Sequence, residues 1–174
     1  MRFEKVNITR QALLKLRKFV KAAHGGEIGG PMVGFISESE GLVITDLTGP
    51  GERGRCNPFS VTIDGDHSQS FCDEAYRSSE GLIDYVGDWH CHPSVYIRPS
   101  GEDHKAIKLM AEVPGLPPDP VSLIHGKWRY FNIFQWIPSE QRLGKISHRV
   151  IDCLRAEQLA NLTRRSNGGE LKSL

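Results

Sequence analysis

An irregular alternation of helical and strand-like segments places this sequence in the α+β or α/β class, as one domain. Three observations carry that reading. The chain has 174 residues, a length that suits a single domain and buries about 70% of its unfolded surface without help from disulfides. Hydrophobic residues at 39% and charged residues at 25% make an ordinary globular mix. Apolar residues recur at helical spacing in some stretches and as short runs in others, and the two kinds interleave.

The elements follow in order. Thr9 caps a helix over residues 9–23, with Ile8 and Leu13 as a hydrophobic staple and Leu13, Leu16, Val20 and Ala23 as its buried stripe. Gly25-Gly26 stops it. Residues 27–36 read as a glycine-rich strand with a free edge near Pro31, because proline has no N–H to give. A second strand covers about 42–48, then a polar loop runs to Asn57 and a short strand from Phe59 to Ile63. Asp64 caps a helix over about 67–79 whose Phe71, Cys72, Ala75 and Tyr76 face inward. Leu82–Trp89 is a strand, Ser100–Val113 a helix, and Pro114–Pro120 a breaker. Val121–His125 and Trp128–Ile137 form a hairpin. Residues 140–162 read as a C-terminal helix on the spacing of Ile146, Val150 and Leu154. The domain is taken as residues 1–165, with 166–174 a flexible tail. Trp89, Trp128 and Trp136 are core or half-buried aromatics.

Charge and cysteine usage narrow the function. Lys and Arg number 22 against 21 Asp and Glu, a net charge of +1, so no long-range field draws the chain to nucleic acid or an anionic membrane. No apolar run nears the roughly 20 residues of a membrane span. Met1-Arg2-Phe3-Glu4-Lys5 lacks the apolar core of a secretory signal. Cys56, Cys72, Cys91 and Cys153 are widely spaced, which argues against a cysteine-based zinc cluster or disulfide scaffold. The chain reads as cytoplasmic, with reduced thiols.

Chemistry concentrates in Gly87-Asp88-Trp89-His90-Cys91-His92-Pro93 and Ser100-Gly101-Glu102-Asp103. His90 and His92 stand at i and i+2 at a strand end, so both imidazoles leave one face, about 6.6 Å apart along the backbone. Cys91 points to the other face. Asp103 falls at the third position of the next helix, where its carboxylate turns back toward the strand end. Two imidazoles and one carboxylate make a zinc site with an open fourth position, the catalytic kind. Ser100-x-x-Asp103 is equally the pattern of a helix-capping box. His24, His67, His104, His125 and His148 have no ligand spacing and read as surface or capping residues.

H-x-H-P followed after seven residues by S-x-x-D, with Glu27 on an earlier strand, resembles the JAMM (JAB/MPN) metalloprotease family. The likeness covers about residues 8–137, including element order. It implies an α/β sandwich, a curved mixed sheet flanked by helices. It also implies one Zn²⁺ per chain held by His90, His92 and Asp103, Glu27 as general base and then acid, and Ser100 as oxyanion donor. Phe59–Asp64, the Gly87–His90 lead-in and Pro99-Ser100 are similar to short bacterial JAB proteins of antiphage (CBASS-type) operons. Those deconjugate a cGAS-like nucleotidyltransferase. The implied function is an isopeptidase acting after the C-terminus of a ubiquitin-like or otherwise conjugated protein with an extended tail. A sulfur-carrier processing protease and a catalytically silent scaffold are the alternatives; the complete set of ligand residues speaks against the scaffold. The tail is expected to add as a strand beside the Pro31 edge, with loop 94–99 as the opposite wall.

Overall fold

The structure, a computed structural model, describes residues 2–58, 60–95, 97–127 and 130–170, with side chains as far as Ser166. Near the N-terminus Val6 and Ile8 alternate with Asn7 and Thr9, and this short alternation is a strand, β1 (Lys5–Thr9). It leads straight into α1 (Arg10–Ala22), whose N-cap is Thr9: the hydroxyl accepts the Ala12 N–H at 3.1 Å. After Gly25-Gly26 come β2 (Gly29–Ser37), β3 (Gly41–Leu47) and a small hairpin of β4 (Arg55–Asn57) and β5 (Ser60–Thr62). Asp64 caps α2 (Gly65–Ser78), then β6 (Asp84–Cys91), α3 (Gly101–Ala111), β7 (Val121–His125) and β8 (Phe131–Ile137) follow. The chain ends in β9 (Arg142–Ile151) and α4 (Cys153–Glu170).

Seven strands pair in the order β1-β3-β2-β6-β7-β8-β9, and the sheet closes into a barrel because β1 runs parallel to both β3 and β9. The expected curved mixed sheet is therefore present with its two edges joined. Its alternation sorts side chains into three cores. The largest packs Ala12, Leu13 and Leu16 of α1 against Ile8, Met32, Ile44, Trp89 and Leu123. α4 covers Phe35, Val43 and Ile151 with Ala156 and Leu159. α3 lays Ile107 on Ile124, Phe134 and Trp136.

Four expectations need correction. β2 has no free edge at Pro31, because it lies between β3 and β6 and pairs with both. The missing N–H is accommodated from the side: Thr48 N–H donates to the Pro31 carbonyl at 3.2 Å, and the Thr48 carbonyl takes its hydrogen bond from the Trp89 indole at 2.7 Å. Second, residues 142–151 are strand rather than helix. Two of the three residues read as a helical stripe, Val150 and Leu154, are exposed at 39% and 66%, whereas Leu143, Ile146 and Ile151 are buried between β8 and β1. Third, Tyr76 is exposed, and Phe71, Cys72 and Ala75 are only half-buried. Fourth, His125 is buried rather than at the surface. α4 runs to Glu170, into the segment expected as a tail; residues 171–174, and Trp128, lie outside the described residues. Trp89 and Trp136 are buried as expected. All four cysteines are free thiols, and no helix of the described residues is long and apolar enough to cross a membrane.

Candidate metal centre

β6 orients the cluster. Val86 and Trp89 both pack toward the main core although three residues apart. A strand allows that only through an extra residue, and the register against β2 indeed slips between Val33↔Tyr85 and Met32↔Gly87. Gly87 makes the bulge feasible: it sits at φ 147°, and a Cβ there would lie 1.8 Å from the Val121 carbonyl. The slip leaves Trp89 and Cys91 inward and sets Tyr85, Asp88 and His90 on the opposite face. The Cys91 thiol donates to the Gly26 carbonyl at 3.3 Å, away from the imidazoles as expected.

Asp103 arrives from α3. Ser100 is the N-cap: its hydroxyl accepts the Asp103 N–H at 3.2 Å, and Asp103 Oδ2 accepts the Ser100 N–H at 2.6 Å. This capping box points the carboxylate back over the end of β6. The Nε2 atoms of His90 and His92 are 3.1 Å apart. Asp103 Oδ1 is 3.1 Å from His90 Nε2, and Oδ2 is 3.5 Å from His92 Nε2. Burial alone would raise the Asp103 pKa, but bonds to His90, His92 and the Ser100 N–H outweigh it and hold the carboxyl well below the usual range.

These separations fit a metal ion. Three donors about 2.1 Å from one zinc at tetrahedral angles stand about 3.4 Å apart, close to the 3.1–3.5 Å found here. The donor set of two imidazole nitrogens and a carboxylate suits zinc, and three protein ligands leave a fourth corner open.

Glu27 precedes β2. Its N–H donates to the Asn57 carbonyl at 2.9 Å, which ties it to the β4–β5 hairpin. Burial raises its pKa; His92 and His90 oppose the shift and Asp103 adds to it, so Glu27 feels all three members of the cluster. Close strand contact brings it there. A Cβ at Gly29 would lie 2.5 Å from the Trp89 carbonyl, and one at Gly30 would lie 2.2 Å from that of Thr48. Any side chain at either position pushes β2 off its neighbours.

Among the other histidines, His104 Nδ1 lies 2.8 Å from the Ser100 carbonyl and so braces the cap. His67 is bonded to the Thr48 hydroxyl at 3.0 Å. Loop 94–99 is stitched to the β7–β8 connection through Lys127 N–H to the Ser94 carbonyl (2.9 Å) and Asn132 Nδ2 to that of Ile97 (3.0 Å). Sequence reasoning missed Asp88, which shares the His90 face and whose pKa burial pushes up to about 6. Gly87, as the mark of a bulge, was the available signal.

Residues 9–137 match the family of prokaryotic homologs of the JAB domain. The chain belongs to that family. The JAB match spans β6, α3 and every residue of the cluster. Within the family, the chain is 31% identical over 103 residues to a protein named probable metalloprotease y4qB from Sinorhizobium fredii (strain NGR234), covering 58% of this chain and 63% of that one. It is 29% identical over 102 residues to a CD-NTase/cGAS isopeptidase of Escherichia coli (strain TW11681), covering 58% and 65%. The chain thus spans just under two thirds of the length of these relatives. The JAB fold is shared with the solution structure of protein DSY2949 from Desulfitobacterium hafniense, at a TM-score of 0.55 and 14% identity over 84% of this chain and 93% of that one.

Proposed function

We propose that this chain is a zinc-dependent isopeptidase that hydrolyses the bond joining the C-terminus of a conjugated protein to an amine. The observation that carries the reading is the convergence of His90, His92 and Asp103 with a carboxyl, Glu27, whose titration all three influence. When bound, one zinc per chain supplies a Lewis acid and an activated water. His90, His92 and Asp103 hold it. Glu27 takes a proton from the attacking water and delivers it to the leaving amine, and a pKa above the usual carboxylate value suits a group that must carry that proton between steps. Ser100 Oγ already accepts the Asp103 N–H, and its own O–H stays available to donate to the substrate carbonyl as that oxygen gains charge.

The names of the E. coli relative and of a Vibrio cholerae one, 39% identical over 74 residues, point to a conjugated cGAS-like nucleotidyltransferase as substrate. Such a role belongs to antiphage defence inside a bacterial cell. The extended tail has a place to pair. Among the described strands the barrel has no open edge, but β4 and β5 pair only with each other, and the hairpin is bonded to Glu27. A tail lying along that hairpin runs toward the metal cluster.

The test compares two variants. His92→Ala removes a ligand, so metal content and cleavage should both collapse. Glu27→Ala should keep its zinc and its grip on the conjugate while cleavage falls by roughly 100-fold or more. A near-native cleavage rate in Glu27→Ala means another group moves the proton. Loss of zinc in that variant makes Glu27 a ligand and closes the fourth corner.

A further inference from the structure

Behind the end of β6, on the α1 side, lies a cavity of about 740 Å³ that the proposed chemistry does not use. It borders the centre through His92 and Pro93, and its other walls bring together Arg17 and Lys21 of α1, Lys127, and His125 at the end of β7. No Asp or Glu lines it among the described residues. His125 is 3% exposed, yet neither of its ring nitrogens has a hydrogen-bond partner, and Arg17 Nε is buried and unpartnered as well. Whichever nitrogen of His125 carries the proton, one N–H is left to donate. Buried donors are normally satisfied, and here they surround an open space bearing three cationic side chains. An apolar ligand would leave these donors unmet, and a cation would be repelled.

We propose that this cavity binds an oxyanion, a carboxylate or phosphate group, held by Arg17 and His125. Lys21 and Lys127 add positive potential at the walls. The cavity lies on the face of β6 opposite Asp103 and shares only His92 and Pro93 with the centre, so the anion occupies a place separate from the metal.

Inorganic phosphate titrated into the metal-loaded protein, followed by calorimetry, is expected to bind once per chain. Arg17→Gln should weaken it at least tenfold. Gln is as good a helix former as Arg, so α1 is retained; Lys21→Gln, farther from the unpartnered donors, should weaken binding by a smaller factor and serves if Arg17→Gln fails to fold. Asp103→Asn should bind phosphate as the native protein does, and a loss there would put phosphate on the metal and overturn the proposal. Equal affinity in the native protein and both α1 variants also overturns it. A blocked aspartate (N-acetyl-aspartate amide) separates the sources. Displacement of phosphate by this probe assigns the pocket to an acidic side chain of a bound polypeptide, and phosphate binding without displacement assigns it to a free phosphate. Absence of binding by either probe sinks the proposal. The readout is binding, so it stands or falls apart from the isopeptidase activity.

Discussion

Ser100 carries two jobs that a pair of substitutions separates. As N-cap its hydroxyl accepts one amide N–H of α3; as oxyanion donor it gives its proton to the substrate. Ser100→Ala removes both and should cost about 1 kcal/mol of stability. Because Ser100 is exposed, no cavity cost adds to that figure. Ser100→Gly removes the same hydroxyl, but glycine at an N-cap costs only a few tenths of a kcal/mol relative to serine. In both variants the backbone N–H that bonds Asp103 Oδ2 at 2.6 Å survives, so the carboxylate stays aimed and metal content should match the native protein. Losing one oxyanion donor slows turnover by about 100-fold, or about 2.7 kcal/mol on the barrier. The expected pattern is therefore equal, large rate losses with unequal, small stability losses. Metal analysis, urea denaturation and cleavage of a defined conjugate on the three proteins measure it. If Ser100→Gly cleaves at the native rate, Ser100 is a helix cap and nothing more.

Three further outcomes are expected. Cys91→Ser should keep native metal content and cleavage, since position 91 faces Gly26 and the core; loss of zinc on metal analysis would mean the register of β6 is wrong. Trp89→Phe should cost about 1–3 kcal/mol in urea denaturation, because the Thr48 carbonyl then faces a proline and has no N–H to replace the indole; a loss below about 0.5 kcal/mol would refute that pairing. The Arg53 guanidinium holds Asp64 down to about 2 in the folded protein, against about 3.9 unfolded. The stability that its carboxylate adds is thus complete above about pH 4 and is lost as pH falls toward 2. Asp64→Asn should flatten acid melts in that window, and an unchanged slope would exclude Asp64 as the group responsible.

The cluster was more legible than the barrel. His90 and His92 share a face because a strand has period two, and Asp103 turns back because a capping box fixes its rotamer; both are local rules that spacing reveals. The wider sheet depends on distant partners. β1 is five residues long, and its two apolar side chains were indistinguishable from a helix staple until β3 and β9 flanked it. The C-terminal stretch offered spacings of four that suit a helix, but pairing with β8 and β1 decided for strand. Pro31 misled for a related reason: a missing N–H ordinarily marks an edge, and here a neighbouring indole bonds the carbonyl it would have served. His125 carried no spacing signal at all, since its burial comes from α1 packing across the end of β7.

Barrel closure also bears on how the chain folds. Residues 5–9 pair with 147–151, so the first strand made on the ribosome finds β3 early but must wait for almost the whole chain before its second neighbour exists. Contacts this remote in sequence slow folding, because a long loop must be ordered before they form. The family match ends at residue 137, before β9 begins at Arg142. A fragment trimmed to the matched region would leave β1 and β8 each with a bare row of amide and carbonyl groups, the pattern that templates self-association. Constructs meant for work on the metal cluster should therefore reach at least Ile151, and early chain termination in a cell would yield an aggregation-prone product rather than a smaller working enzyme.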